Sequence, residues 1–345
     1  MKAEEVTFPE TLHDAIKYFA NHGHAFDFLK SIRWPDGVVK CPRCGSTEVF
    51  FLSTRKIWKC KSKHEKQQFS VKVGTVLEDS PIALDKWLCA FWLIANAKNG
   101  ISSYELGRSI GVTQKSAWFM LHRIRLAMQD GSIEKFSGRV EADETFIGGR
   151  ARNMHADKKA KIQKGRGSIG KVAVLGLLER NSPERASRIK LRVVRNVRRA
   201  GLRKHIKREV VEGSELYTDA LASYSGLQKE YIHQVIDHAE CYAKGHVHTN
   251  GLENFWSLLK RGIKGTYVSV EPFHLFRYLD EQAFRFNERG DNDAGRFVKV
   301  VAGVIGKGLR YAKLIGKGNS DGLPQKTVSW FSQTWLLNHL GFETD

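Results

Sequence analysis

The stretch Cys41-Pro-Arg-Cys44-Gly, with Cys60 and then His64 at a Cys-x3-His spacing, constrains this chain more than any other feature. The CxxC gap lets the thiolates of Cys41 and Cys44 reach one tetrahedral ion, and the following glycine permits the tight turn. Cys41, Cys44, Cys60 and His64 together make a Cys3His set for a structural Zn2+ of ribbon type. A segment this short and polar gains from a metal the folding free energy that its own core cannot supply. His64 can also be read as a solvated neighbour of Lys63 and Glu65, which leaves three ligands. Cys89 and Cys241 lack such partners and read as ordinary thiols. Five cysteines, an odd number with three clustered, do not make a secreted disulfide framework. A reducing, cytoplasmic setting is expected.

Charge narrows the partner. Lys and Arg total 56 against 37 Asp and Glu, a net +19. Such an excess suits a polyanion, because each neutralised phosphate releases counterions and strengthens binding. No apolar run approaches the roughly 20 residues that span a bilayer. Met1–Pro9 carries Lys2, Glu4 and Glu5 in place of an apolar signal core. No membrane partner is expected.

Residues 1–38 read as a helical lead closed by the turn signal Trp34-Pro35-Asp36-Gly37, and residues 39–80 as the ribbon. Residues 84–130 turn helical. Ser102 and Glu105 mark a helix start, Gly111 its end, and Thr113 caps a second helix from Gln114 to Met128. Ala117, Met120, Leu121, Ile124 and Met128 mark the buried face of that second helix; Lys115, His122, Arg123 and Arg125 line the rest. Helix, glycine turn and basic helix is the pattern of a helix-turn-helix. Gln114, Lys115 and Ser116 would then meet base edges, with Arg123 as a further DNA contact. A plain helical hairpin gives the same pattern.

Alternating strand and helix signals fill residues 138–290. Asp143 sits in Arg139-Val-Glu-Ala-Asp143-Glu-Thr-Phe-Ile147, a strand closed by Gly148-Gly149, and Asp219 ends the short strand Glu215–Asp219. Taken singly these acids are weak signals, since acids often flank strands to cap the next helix. In residues 250–264, Leu252, Phe255, Trp256, Leu259 and Ile263 form one apolar stripe. Asn250, Glu253, Ser257, Lys260 and Lys264 share the opposite face, which suits a metal ligand two turns before a phosphate-binding lysine. It equally suits a solvated face. Carboxylates offered from two strands and a helix fit Mg2+ or Mn2+ better than zinc. Two such ions about 3.5–4 Å apart can clamp both oxygens of an in-line phosphoryl displacement.

The order of ribbon, helix-turn-helix and then Asp143, Asp219 and Glu253 resembles the DDE transposases of bacterial insertion sequences, within them the ISXO-like branch related to Merlin elements. The matching motifs are Cys41-Pro-Arg-Cys44, Phe69-Ser-Val-Lys-Val-Gly74-Thr-Val, Val140-Glu-Ala-Asp143-Glu-Thr-Phe-Ile-Gly-Gly149 and His248-Thr-Asn250-Gly-Leu-Glu253-Asn-Phe-Trp-Ser-Leu-Leu-Lys260-Arg261-Gly, followed by Gly265-Thr-Tyr and Arg277 to Arg289. The resemblance implies a multidomain α+β chain whose 138–290 region is an RNase H-like α/β catalytic domain. Asp143, Asp219 and Glu253 would hold two Mg2+ or Mn2+ ions, and Asn250 is the rival third ligand. Lys260, with Arg261 and Lys264, would hold DNA. The implied partners are double-stranded DNA, both the terminal inverted repeats and the target, and a second copy of the chain in a homodimer or higher oligomer. The implied place is the bacterial nucleoid.

Two rival functions are a catalytically dead DNA-binding regulator and a structure-selective nuclease of the same fold. Residues 150–208 hold many Lys and Arg against Asp157, Glu179 and Glu184 alone, which points to DNA contact. Within them a loop is expected over 150–171, strands at Val172–Leu178 and Ile189–Val194, and a basic helix at Arg198–Val211. Residues 291–345 read as an extension of unknown role ending in Trp330 and Trp335.

Overall fold

Helix signals early in the chain act where capping residues stand. Thr11 accepts from the Asp14 N–H to start α1 (Leu12–Ala20), and Asn21 accepts from the Gly23 N–H to start α2 (His22–Arg33). The computed structural model describes residues 8–129, 131–148, 171–194, 196–219, 221–236 and 248–316. They fall into two units, one running to Gln129 and resuming at Asp291, the other ending at Gly290. The loop expected over 150–171, Lys171 apart, lies outside the described residues, as do Cys241, Trp330 and Trp335. No helix among the described residues is long and apolar enough to cross a membrane.

In the first unit, β1 (Val49–Leu52), β2 (Ile57–Cys60) and β3 (Gln68–Phe69) form a small antiparallel sheet. α3 (Leu84–Asn96) is buried on nearly every side, through Trp87, Leu88, Phe91, Trp92 and Ile94. α4 (Ser103–Ile110) ends at Gly111, whose φ of 65° is the left-handed conformation glycine adopts without strain. α5 (Gln114–Ala127) follows, with Thr113 accepting from the Ser116 N–H. Residues 291–316 complete this core. On α9 (Asp293–Ala302), Phe297 meets Phe28 and Trp92 with ring centroids 5.5 and 5.0 Å apart. The Val76 and Gly306 N–H groups then pair with the carbonyls of Val304 and Gly74.

That returning segment overturns one expectation for α5. Arg123 is only 6% exposed, and His122 and Arg125 are also buried. The Arg123 guanidinium donates to the carbonyls of Leu309 at 3.2 Å and Glu78 at 2.8 Å, and lies 4.3 Å over the Phe119 ring. It pins α5 to its own unit and has no face left for DNA.

The second unit is a five-stranded sheet in the order β6-β5-β4-β7-β8. β4 (Arg139–Ile147), β5 (Val172–Glu179) and β6 (Arg188–Val194) form an antiparallel meander; β7 (Glu215–Asp219) and β8 (Ile232–Ile236) run parallel to β4. Period-two alternation sends successive side chains to opposite faces. Val140, Ala142, Leu175 and Leu216 pack with Leu202 and Ile206 of α6 (Arg199–Glu209). Ile147, Val174 and Leu178 face the opposite way, against Leu252, Phe255, Trp256 and Leu259 of α7 (Asn250–Gly265) and Leu279 of α8 (Leu275–Asn287). The outer edge of β6 is closed at Ile189, where the Asn287 amide accepts from its N–H at 2.7 Å and donates to its carbonyl at 3.1 Å.

The basic run around β6 and α6 is less one-sided than its local sequence. Glu134, Glu209 and Glu230, all from outside residues 150–208, reach into it. Glu209 lies 3.2 Å from Lys190 and 3.0 Å from Arg192, and Glu230 lies 3.0 Å from Arg203 and 2.7 Å from Lys207. Arg185 and Arg188 share Glu134. Self-repulsion is therefore not what this stretch needs a polyanion to relieve.

Candidate active site and zinc site

The three cysteine sulfurs converge with His64. The four ligand atoms of Cys41, Cys44, Cys60 and His64 lie within 4.8 Å of one another. Cys44 Sγ is 3.6 Å from Cys60 Sγ, and Cys41 Sγ is 3.5 Å from His64 Nε2. Bonds of about 2.3 Å to sulfur and 2.0–2.1 Å to nitrogen in a tetrahedron place ligand atoms roughly 3.5–3.8 Å apart, so this set fits Zn2+. His64 Nδ1 lies 2.7 Å from the Glu65 carbonyl. Donation there fixes the tautomer that leaves Nε2 free for the metal. His64 is thus one of the converging four, not a solvated bystander.

The acids gather on the α7 face of the second sheet. Asp143 follows Ala142 on β4, and Asp219 follows Thr218 on β7; Ala142 and Thr218 are register partners. The two aspartates therefore stand side by side at the end of that parallel pair. Glu253 lies in the first turn of α7, near enough for its charge to act on Asp143. Burial raises the Asp143 pKa above the usual carboxylate value, and the charges of Asp219 and Glu253 push it the same way. Its hydrogen bonds from Trp256 and from the Glu144 N–H oppose that shift. A donor set of three carboxylates without imidazole or thiolate fits a hard divalent cation, which would relieve their mutual repulsion. Asn250 is the first residue of α7 and is exposed.

Sequence reasoning missed several residues that hold this arrangement. Trp256 belongs to the apolar stripe, yet its indole Nε1–H donates to Asp143 Oδ2 at 2.8 Å. It can lie that close because β5 carries Gly176 opposite Asp143; a Cβ at Gly176 would meet the indole at 2.6 Å. Glu144 points to the other face, accepts from the Tyr224 hydroxyl at 2.5 Å, and is pushed up to about 8, chiefly by burial. Glu141 is 1% exposed and accepts from Arg180 Nε at 2.7 Å and from the Leu252 N–H at 3.0 Å.

Of the residues expected on DNA, Lys260, Arg261 and Lys264 are exposed on α7, and Gln114 and Lys115 are exposed at the start of α5. Gln114 Nε2 donates to Ser103 Oγ, the Lys115 ammonium lies 5.1 Å over the Tyr311 ring, and Ser116 Oγ accepts from Thr113.

Comparison with known proteins places these features. Residues 135–287 match an ISXO2-like transposase domain, and residues 20–64 match a transposase zinc-ribbon domain. The chain is 27% identical over 276 residues to an uncharacterized protein in transposable element ISH50 of Halobacterium salinarum, covering 76% of this chain and 90% of that relative. It is 36% identical over 96 residues to an uncharacterized transposase-like protein of Haemophilus influenzae, covering 28% of this chain and 77% of that relative.

Proposed function

This chain belongs to the ISXO2-like transposases of insertion sequences, and we propose that it cuts the ends of its own element and joins them to target DNA. The reading rests most on one observation: Asp143 and Asp219 stand side by side where the parallel pairing of β4 and β7 ends, and Asp219 and Glu253, the latter from the first turn of α7, are both close enough for their charges to act on Asp143. Strand order β6-β5-β4-β7-β8, with an antiparallel meander beside two parallel strands, supports an RNase H-like catalytic domain. In that domain the three carboxylates would hold two Mg2+ or Mn2+ ions. When bound, such a pair lowers the pKa of an attacking water or 3′-hydroxyl and stabilises the leaving oxygen.

The chain's own side chains have separate tasks. Asp143 is held in one rotamer by the Trp256 indole. Lys260, Arg261 and Lys264 present positive charge along the exposed face of α7, where they would hold the DNA backbone. Gln114, Lys115 and Ser116 open α5, the position from which a helix-turn-helix reads the major groove. With the zinc ribbon they would select the terminal inverted repeats. Two copies of the chain would hold the two ends together.

Asp143→Asn should abolish strand cleavage of a duplex carrying the flanking inverted repeat, while end binding stays within about twofold of wild type. A variant that still cuts would show that the chemistry lies elsewhere. Wild type that binds ends but never cuts, in Mg2+ or Mn2+, would instead identify a regulator.

A further inference from the structure

The acids stand one layer above a buried polar network that the reaction does not itself use. Glu141 precedes Asp143 by two residues on β4, so both face α7. Tyr217 precedes Asp219 by two on β7 and is the register partner of Glu141. Arg180, just past the end of β5, spans this lower layer. Its Nε donates to Glu141 Oε1 at 2.7 Å, its Nη2 donates to the His248 carbonyl at 2.6 Å, and its guanidinium lies 4.4 Å over the Tyr217 ring. His248 Nδ1 is 2.9 Å from that same Nη2 and 3.6 Å from Glu141 Oε1. The other oxygen of Glu141 accepts from the Leu252 N–H, an open donor in the first turn of α7.

A carboxylate is an odd choice for this position if stability were its purpose. Glu141 is 1% exposed, between β5 and β7 and under the first turn of α7. Exchanging the whole of a buried ion pair, such as that of Glu141 and Arg180, for apolar residues of similar volume is often neutral or stabilising. What the carboxylate adds is direction: it fixes where the first turn of α7 begins relative to β4, and Glu253 is the residue after Leu252. Gly251 shows how tight the fit is. A Cβ at Gly251 would lie 2.8 Å from Glu141 Oε2, so any side chain there would push the carboxylate or the helix off its seat.

We propose that Glu141 and Arg180 are positioning residues that set Glu253 against Asp143 and Asp219, and thereby the affinity of the site for its divalent cations. This rests on the reading of those three acids as the metal-holding set. The network touches each element that carries an acid, at one or two residues' remove: Glu141 on β4, Tyr217 on β7, Leu252 on α7. A shift of the first turn would move Glu253 and leave the two aspartates, held by the sheet, in place.

The test uses the full zinc-loaded chain and a linear duplex carrying the inverted repeat that flanks its gene. Cleavage rate is followed against Mg2+ concentration, with end binding and thermal unfolding measured alongside. Glu141→Gln keeps size but removes the charge and leaves one oxygen to accept where two did, so one of its two hydrogen bonds is lost. Half-saturating Mg2+ should rise about 10–100-fold, the usual range for removing a partner behind a metal ligand, with end binding within about twofold. Gly251→Ala removes no polar group and should raise half-saturating Mg2+ in the same direction. The double variant should be no worse than the poorer single, because both act through one carboxylate. Should Glu141→Gln fail to fold, Gly251→Ala alone decides the matter.

Half-saturating Mg2+ unchanged in a folded variant overturns the proposal, and so does a rate that falls only with the folded fraction. If wild type does not cut, or Asp143→Asn cuts as well as wild type, the reading of the three acids has failed and this inference goes with it. Cleavage by wild type but not by Asp143→Asn, with Glu141→Gln and Gly251→Ala both unaffected, removes the positioning role alone.

Discussion

The zinc site and the acidic site are built in opposite ways. The zinc ligands come from residues 41–64, and the geometry is closed by a short knuckle, a hairpin and one imidazole. The acids come from β4, β7 and α7, and their approach depends on a sheet register, a helix start and at least three residues that are not acids themselves. A local site can drive the folding of its own segment. A dispersed one must be carried by a fold that is already stable, so the ions proposed there would come and go without unfolding anything. That difference separates the structural zinc from the proposed catalytic ions.

Removing zinc should give the largest effect. Structural Zn2+ contributes roughly 10–16 kcal/mol of apparent binding free energy in small zinc domains, far more than the three short strands here can supply. Cys44→Ser or a zinc chelator should therefore unfold residues 39–69, seen as loss of ordered Trp58 fluorescence, and abolish end binding. Withdrawing Mg2+ from zinc-loaded protein should change neither signal. An equal loss on Mg2+ withdrawal would break the contrast.

The next effect belongs to the core behind the zinc unit. Phe297 is fully buried against Phe28 and Trp92, so Phe297→Ala should cost about 3–5 kcal/mol in denaturant unfolding of that unit. A shift below about 1 kcal/mol would mean residues 291–316 do not complete its core.

At the dispersed site, Gly176→Ala should cost about 1–3 kcal/mol as overpacking, because its Cβ would press on Trp256. It should also reduce cleavage by more than that stability loss explains, since the indole would leave Asp143. Unchanged cleavage would separate Trp256 from the site.

The smallest effect is electrostatic. Arg188 first, then Arg185, lower the Glu134 carboxyl from its ordinary 4.5 to about 2. A depressed pKa means stability that is present above the ordinary value and lost as pH falls from about 4.5 toward 2. Glu134 is half exposed, so screening limits the contribution to about 0–1 kcal/mol. Comparing wild type with Glu134→Gln in urea at pH 5 and pH 3 should show a gap that shrinks at the lower pH.

How much of this was legible in the sequence follows from the same contrast. The zinc ligands were readable because thiolate chemistry demands set residue types at short, fixed spacings. The α7 stripe was readable by helical periodicity, but a stripe says only that Trp256 is buried, not that its N–H has a destination. Glu141 lies among other strand acids, where nothing local marks it as interior. Arg180 looked like one more charge in a basic run. Gly176, inside an apolar strand, has no pattern at all; only the helix above it explains it. Arg123 departs from its expected place for the converse reason. An amphipathic reading assumes one buried face, and the segment that covers the other face of α5 arrives from Leu309, 186 residues later.

The most direct check of the shared site is ion occupancy rather than turnover. Zinc-loaded protein on its end duplex can be titrated with Mn2+ and followed by paramagnetic resonance. Wild type should take up a magnetically coupled pair of ions, and Asp219→Asn should lose that coupling while keeping its fold and its grip on DNA. If Asp219→Asn binds Mn2+ with the same stoichiometry and coupling as wild type, the three carboxylates do not share their cations, and the acidic site is not what cuts DNA.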